Sequence, residues 1–153
     1  MLIRDATDDD ADAIAQMANG LAQVTGVGPG AMTIQKVQEG LIRGDGLSVI
    51  VGEIDGKAQG YALYSVAYET AHAARGLYLS DLFVMESARR SGLALALMRE
   101  LAKRCVADDG EFIWWIMLPS NAPAARFYAS LGARADDLAA MEVSGPAFQA
   151  LLD

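Results

Sequence analysis

Leu77-Tyr-Leu-Ser-Asp-Leu-Phe-Val84 runs directly into Met85-Glu-Ser-Ala-Arg-Arg-Ser-Gly-Leu-Ala94, so an apolar strand is followed by a basic, glycine-bearing turn and then a long apolar helix. The start of a helix leaves its first backbone N–H groups unpaired and carries about half a positive charge. A turn of Arg89, Arg90, Ser91 and Gly92 at that point is suited to hold an anionic group such as a diphosphate. Gly92 allows close approach of the backbone, and the two arginines supply charge.

The elements that must position this turn can be read from apolar spacing and turn residues. Leu2 to Asp5 forms a short strand, and Thr7-Asp-Asp-Asp10 opens a helix that buries Ile14, Met17, Ala18 and Leu21 and stops near Gly26. Thr33 caps a second helix carrying Ile34, Val37, Leu41 and Ile42, ended by Gly44-Asp-Gly46. Leu47 to Ile54 and Lys57 to Tyr68 are antiparallel strands joined by Asp55-Gly56, a type I′ hairpin signal. Glu69 to Gly76, which contains His72, is expected to be a loop. Leu93, Leu97, Leu101 and Cys105 then make one apolar helical stripe, with Arg99, Glu100, Lys103 and Arg104 facing water.

Glu111 to Leu118 is apolar enough to predict a central strand, with Trp114 and Trp115 on opposite faces. Asn121 caps a helix that ends at Leu131-Gly132, with Pro123 in its first turn. Ala133 to Val143 is expected to give two last strands around Asp136-Asp137, before a short helix from Gly145-Pro146 through Leu151. The expectation is one mixed α/β domain over residues 1–153.

Composition excludes several classes of function. A hydrophobic content of 53% over 153 residues supports a real core. No apolar run approaches the ~20 residues of a membrane span, and Met1-Leu-Ile-Arg-Asp lacks the charged-then-apolar order of a signal peptide, so a cytoplasmic protein with no membrane partner is expected. One cysteine, Cys105, and one histidine, His72, exclude an internal disulfide and leave little material for a zinc site. A net charge of −8 argues against nucleic acid as a partner. It does not argue against a local anion site, because charges beyond a Debye length of about 8 Å are screened.

Two motifs in these contexts, Arg89-Arg-Ser-Gly92-Leu-Ala94 and Asn121-Ala-Pro-Ala124-Ala-Arg-Phe127-Tyr128-Ala-Ser-Leu-Gly132, resemble the GNAT superfamily of acyl-CoA-dependent N-acetyltransferases over almost the whole chain. Leu79-Ser-Asp-Leu-Phe-Val-Met85 looks most like the diamine and polyamine (spermidine/spermine-type) acetyltransferases. The chain departs from that subgroup at Ser80, where its members carry a glutamate, and after Gly132, where their acidic and aromatic substrate contacts are missing. The resemblance implies a mostly antiparallel central sheet of roughly six to seven strands flanked by helices. It also implies a homodimer, and direct transfer of an acetyl group from acetyl-CoA to the primary amine of a small molecule, with no metal. The alternatives left open are an acyl-CoA-binding module without turnover and acetylation of a protein or peptide amine.

The difficult step in such a transfer is preparing the amine. With a reference pKa of about 10.4, only about one alkylammonium in 2,500 is neutral at pH 7, which adds roughly 4.6 kcal/mol to the barrier unless a base helps. By resemblance, Asp81 is the candidate base or water anchor. A regular strand would put Asp81 on the face opposite Ser80, Leu82 and Val84, so this role requires a β-bulge. The resemblance further implies that the backbones of Leu82 and Val84 pair with the pantetheine arm and polarise the thioester carbonyl. Residues Arg89, Arg90, Ser91, Gly92, Leu93 and Ala94 would wrap the diphosphate, Asn121 and Ala124 would contact the cofactor, and Tyr128 would protonate the departing thiolate.

Overall fold

Asp55 and Gly56 both adopt the left-handed backbone conformation (φ 51° and 72°), which is what a two-residue type I′ turn demands. They join β2 (Ser48–Ile54) to β3 (Lys57–Glu69) in the expected hairpin. The computed structural model describes residues 1–152, and packing divides the chain into two compact units, Met1–Trp115 and the part from Ile116 onward. In the first unit, β1 (Leu2–Asp5), β2, β3, β4 (Ala74–Val84) and β5 (Phe112–Trp115) form one sheet in sequential order. The first four are antiparallel and β5 is parallel to β4. Parallel neighbours need a long crossover, which the helix α3 (Leu93–Ala107) supplies.

Packing on the two faces follows strand alternation. Val49 and Val51 face the helix α1 (Ala11–Thr25) and join Ile14, Met17, Val37, Tyr61 and Leu63 in one buried cluster. Ile50 and Gly52 take the opposite face, where α3 (Leu93–Ala107) buries Leu93, Leu97, Leu101 and Cys105 as its spacing predicts. Gly52 pairs directly with Gly60 across β2 and β3, and together they form a notch for Leu93, the first residue of α3. A Cβ on Gly52 would lie 2.5 Å from Leu93 Cδ1, and one on Gly60 would lie 3.1 Å from Cδ2. This notch fixes the height of the α3 N-terminus over the sheet. Gly52→Ala should therefore destabilise the protein by about 1–3 kcal/mol through overpacking, and it should displace the turn before α3. Chemical denaturation of the variant checks the first effect.

Polar ties hold the remaining elements. The Arg4 guanidinium binds both Asp10 oxygens (2.7 and 2.8 Å) and Glu53, and this pairing holds the buried Asp10 carboxyl below the usual carboxylate range. Asp10 also accepts from the Thr7 backbone N–H (2.8 Å), so the acidic opening of α1 is anchored to the sheet. Thr33 Oγ1 accepts from the Lys36 N–H and starts α2 (Ile34–Lys36), which widens at once into a π-type turn over Val37–Ile42. The loop before α2 is held by Asn19, whose amide exchanges two 2.9 Å bonds with the Met32 backbone. Arg104, expected to face water, instead reaches Tyr64, Asp5 and Glu100, because its long side chain folds back over the sheet.

Four expectations about the elements are corrected. Among the described residues the sheet has five strands, not six to seven. The segment Glu111–Leu118 does not supply a central strand: only Phe112–Trp115 pairs, and it forms an edge. Its apolar character is used differently, since Trp114 remains 44% exposed and packs its ring on Tyr78 (centroids 5.4 Å apart). Ala133 to Val143 forms no strands. Val143 is the one β-branched residue in that stretch, and Arg134 pairs locally with Asp136 at 3.0 Å, so neither propensity nor a partner favours a ladder. The loop expected over 69–76 is also shorter, because β4 begins at Ala74.

The second unit contains α4 (Ala122–Ser130) and α5 (Gly145–Gln149). Asn121 Oδ1 accepts from the Ala124 N–H (3.3 Å), Pro123 sits in the first turn, and Gly132 follows the helix in the left-handed conformation (φ 80°). Among the described residues, no helix is long and apolar enough to cross a membrane.

Candidate active site

The β3–β4 register shifts by one residue at the centre of β4. Leu63 pairs with Asp81 but Tyr64 pairs with Leu79, which leaves Ser80 as the extra residue of a bulge. Before the bulge, Leu77 and Leu79 are buried on the α3 side. After it, Asp81 and Phe83 share the α1 side with their partners Leu63 and Tyr61. The parity that would have turned Asp81 the other way is thus reversed by one inserted residue.

The same bulge opens an edge. Pairing between β4 and β5 runs only from Gly76↔Phe112 to Leu79↔Trp115 and stops where the bulge begins. Among the described residues, no strand covers Ser80 to Val84 on that side. Met85 donates its N–H to the Gln59 carbonyl (2.8 Å), so Phe83 and Asp81, two and four residues earlier, also turn their backbone groups toward β3. Leu82 and Val84 therefore direct N–H and C=O outward along the open edge. Such an edge is a template for an extended amide-bearing chain.

At its C-terminal end this edge meets the basic turn. Arg89 and Arg90 are exposed and form no ion pair among the described residues, and Arg89 Nε lies 3.4 Å from the Val84 carbonyl. Ser91 Oγ donates to the Ala88 carbonyl (2.7 Å) and accepts from the Leu93 N–H (3.3 Å), which ties the turn to the first residue of α3. Gly92 is left-handed (φ 88°), and a Cβ there would meet nothing within 4 Å. Conformation, not crowding, favours glycine at this position. Ala94 lies in the first turn of α3, and a shallow hollow lined by Lys57, Gln59, Ser87 and Ser91 adjoins the turn.

Asp81 is largely buried, and burial pushes its carboxyl above the ordinary aspartate range. One hydrogen bond opposes that shift: the Tyr61 hydroxyl donates to Asp81 Oδ2 at 2.7 Å. Sequence reasoning missed Tyr61. Tyr61 sits inside the strand expected over Lys57 to Tyr68, but its contact with Asp81 depends on the β3–β4 register, which no local pattern encodes. Glu53, another carboxylate in the first unit, is occupied by Arg4.

The first unit therefore brings together Asp81, Leu82, Val84 and Arg89 through Ala94. Asn121, Ala124 and Tyr128 lie together on α4 of the second unit. Tyr128 stands beside Phe127 (ring centroids 5.2 Å), and burial raises its hydroxyl above the usual tyrosine range, so it is a proton donor and not a phenolate at neutral pH.

Comparison with known proteins bears on the family and the fold. L-ornithine N5-acetyltransferase NATA1 of Arabidopsis thaliana is 30% identical over 93 residues, which is 60% of this chain. The match spans only 41% of that plant protein. Among solved structures, an integron cassette protein from the mobile metagenome of V. cholerae superposes with a TM-score of 0.82 at 23% identity, covering 99% of this chain and 96% of that one. A tetramutant of the BH1408 protein of Bacillus halodurans superposes with a TM-score of 0.79 at 23% identity, covering 94% and 99%. These two share the fold. Residues 24–133, a span that includes the hairpin, the bulged strand, the basic turn and the α4 motif, match the model of the Acetyltransferase (GNAT) family, and the chain belongs to that family.

Proposed function

We propose that this protein transfers an acetyl group from acetyl-CoA directly to the primary amine of a small molecule. The observation that carries this reading is the open β4 edge, which leads from the bulged, buried Asp81 past the outward backbone groups of Leu82 and Val84 into the unpaired arginines of the α3 turn. These residues fit acetyl-CoA: an amide-bearing arm for the edge, a diphosphate for Arg89 to Ala94, and an activated acetyl group that the bound donor supplies. On this reading Asp81 takes the proton of the acceptor ammonium, the Val84 N–H donates to the developing oxyanion, and Tyr128 returns a proton to the leaving thiolate. Asn121 and Ala124 are assigned to the cofactor on the family motif.

The plant relative's name supports a small aliphatic amine such as L-ornithine as acceptor. Ser80, where polyamine-specific relatives carry a glutamate, argues against long polyamines, since that carboxylate is no longer present to meet a second cationic site. Calorimetry with acetyl-CoA, followed by a thiol-release assay over L-ornithine, smaller amines, spermidine and spermine, tests the proposal. Binding with release driven by a small amine supports it; binding without release for any amine identifies a binding module instead. Spermine used as efficiently as the best small amine would refute the assigned selectivity.

The cradle has its own expected result. Replacing Arg89 and Arg90 together by alanine should weaken acetyl-CoA by about 10- to 100-fold, because charge-assisted contacts are worth roughly 1.5–3 kcal/mol each and these are exposed. A short pantetheine thioester without the diphosphate should be little affected. Equal affinity of wild type and double variant for acetyl-CoA would remove the cofactor assignment.

A further inference from the structure

We propose that Tyr61 is a positioning residue for this acetyl transfer: its buried hydroxyl holds Asp81 Oδ2, so that Oδ1 is presented to the acceptor amine. The inference rests on the function proposed above and adds a residue that no motif identifies. Tyr61 pairs with Phe83 and Asp81 pairs with Leu63, so the register of β3 on β4 sets tyrosine and carboxylate diagonally across two strands on one face. Tyr61 is 0% exposed, in the same cluster as Ile14, Met17 and Val51. A position needed for packing alone is filled by phenylalanine with no polar group to satisfy, whereas this hydroxyl spends its one proton on Asp81 at 2.7 Å. That length is in the range of a charge-assisted O–H···O⁻ bond.

The tyrosine is held in place. Its cross-strand partner Phe83 packs its ring against Gly20 of α1, where a Cβ would lie 3.0 Å from Phe83 Cζ. Besides Leu63 and Tyr61 from β3 and Phe83 from β4, this face of the first unit carries apolar residues such as Val49, Val51, Ile14 and Met17, so Tyr61 is the titratable group that Asp81 meets there. Burial and the adjacent carboxylate raise the ionisation of Tyr61 itself far above its usual range, so it remains a donor throughout. Asp81 Oδ1 has no hydrogen-bond partner among the described residues. In the step this permits, a proton leaves the acceptor ammonium for Oδ1, directly or through one water, giving a neutral amine and a neutral carboxylic acid. The amine nitrogen then bonds to the acetyl carbon as the C–S bond breaks; the nitrogen gives up one further proton, which balances the one taken up by the leaving thiolate, and Asp81 returns its own to solvent. Tyr61 keeps its proton throughout.

The test is Tyr61→Phe, which keeps the ring. Losing a donor to the ionised form raises the carboxyl pKa, so the acid limb of kcat/KM for L-ornithine should move to higher pH by about one unit or more. Activity should fall about tenfold below the limb and far less on the plateau. Acetyl-CoA affinity should change less than about twofold, and in an Asp81→Asn background Tyr61→Phe should have little further effect. Titration of the Asp81 carboxyl by 13C NMR in the ligand-free protein should show the same upward displacement, and it reads the contact even where turnover is too slow to profile. An unmoved limb and titration, with activity lost only in proportion to thermal stability, would reduce Tyr61 to packing and leave the function standing. A wild-type protein that acetylates no amine on the panel overturns the function and this role together.

Discussion

Asp81→Asn is expected to lower amine acetylation by about 100-fold or more while leaving acetyl-CoA affinity within a few-fold, the pattern for loss of a group that acts on the proton in flight. The substitution is conservative here, because the asparagine carbonyl can still accept from Tyr61. Its effect on stability should have the opposite sign. The folded-state pKa of Asp81 is raised, so its contribution to stability is fully present below the unfolded value of about 3.9 and is lost as pH rises through the folded value. At neutral pH the ionised, buried carboxylate is a liability, and removing it should leave the melting temperature unchanged or higher. Activity lost with stability kept or gained separates a catalytic carboxylate from a structural one. The wild-type rate should also rise with pH through a limb above the ordinary aspartate range.

Tyr128→Phe should cut turnover by about 100-fold or more with cofactor affinity again within a few-fold, as expected for loss of a general acid. Burial raises the hydroxyl's pKa, so the donor form persists across the working range. A departing thiolate, with a reference thiol pKa near 8.5, is basic enough to take its proton. A melting curve beside the kinetics decides between roles: unchanged stability supports proton donation, and parallel losses of stability and rate indicate a core tyrosine packed beside Phe127.

Features encoded locally were legible in the sequence. Asp55-Gly56 specifies a turn through the conformations its residues tolerate, Thr33 and Asn121 cap their helices, and Leu93 to Cys105 report their buried face by spacing alone. The bulge that the role of Asp81 requires is present at Ser80, but the contact of Asp81 with Tyr61 was not legible. Tyr61 reaches Asp81 across a gap of 20 residues, and only register brings them together. The Gly52–Gly60 notch for Leu93 is likewise a property of three separate segments.

Two elements are misread, Glu111–Leu118 and Ala133–Val143, because apolar content does not by itself supply a pairing partner. Phe112 to Trp115 is apolar, but its ladder ends at the bulge that makes the open edge, so the site itself limits the strand. Leu138, Met141 and Val143 are exposed and find no ladder partner. Arg104 was assigned to solvent by its place on a helical wheel, which ignores the reach of its side chain to Tyr64.

A rapid-quench single turnover distinguishes direct transfer from acetyl-CoA to a small primary amine from every alternative route. With enzyme in excess over radiolabelled acetyl-CoA and L-ornithine saturating, the N-acetylated amine should appear at the same rate as free thiol, with no label on the protein at any time. Label accumulating on the protein before the amine, or thiol released without acetylated amine, would contradict it.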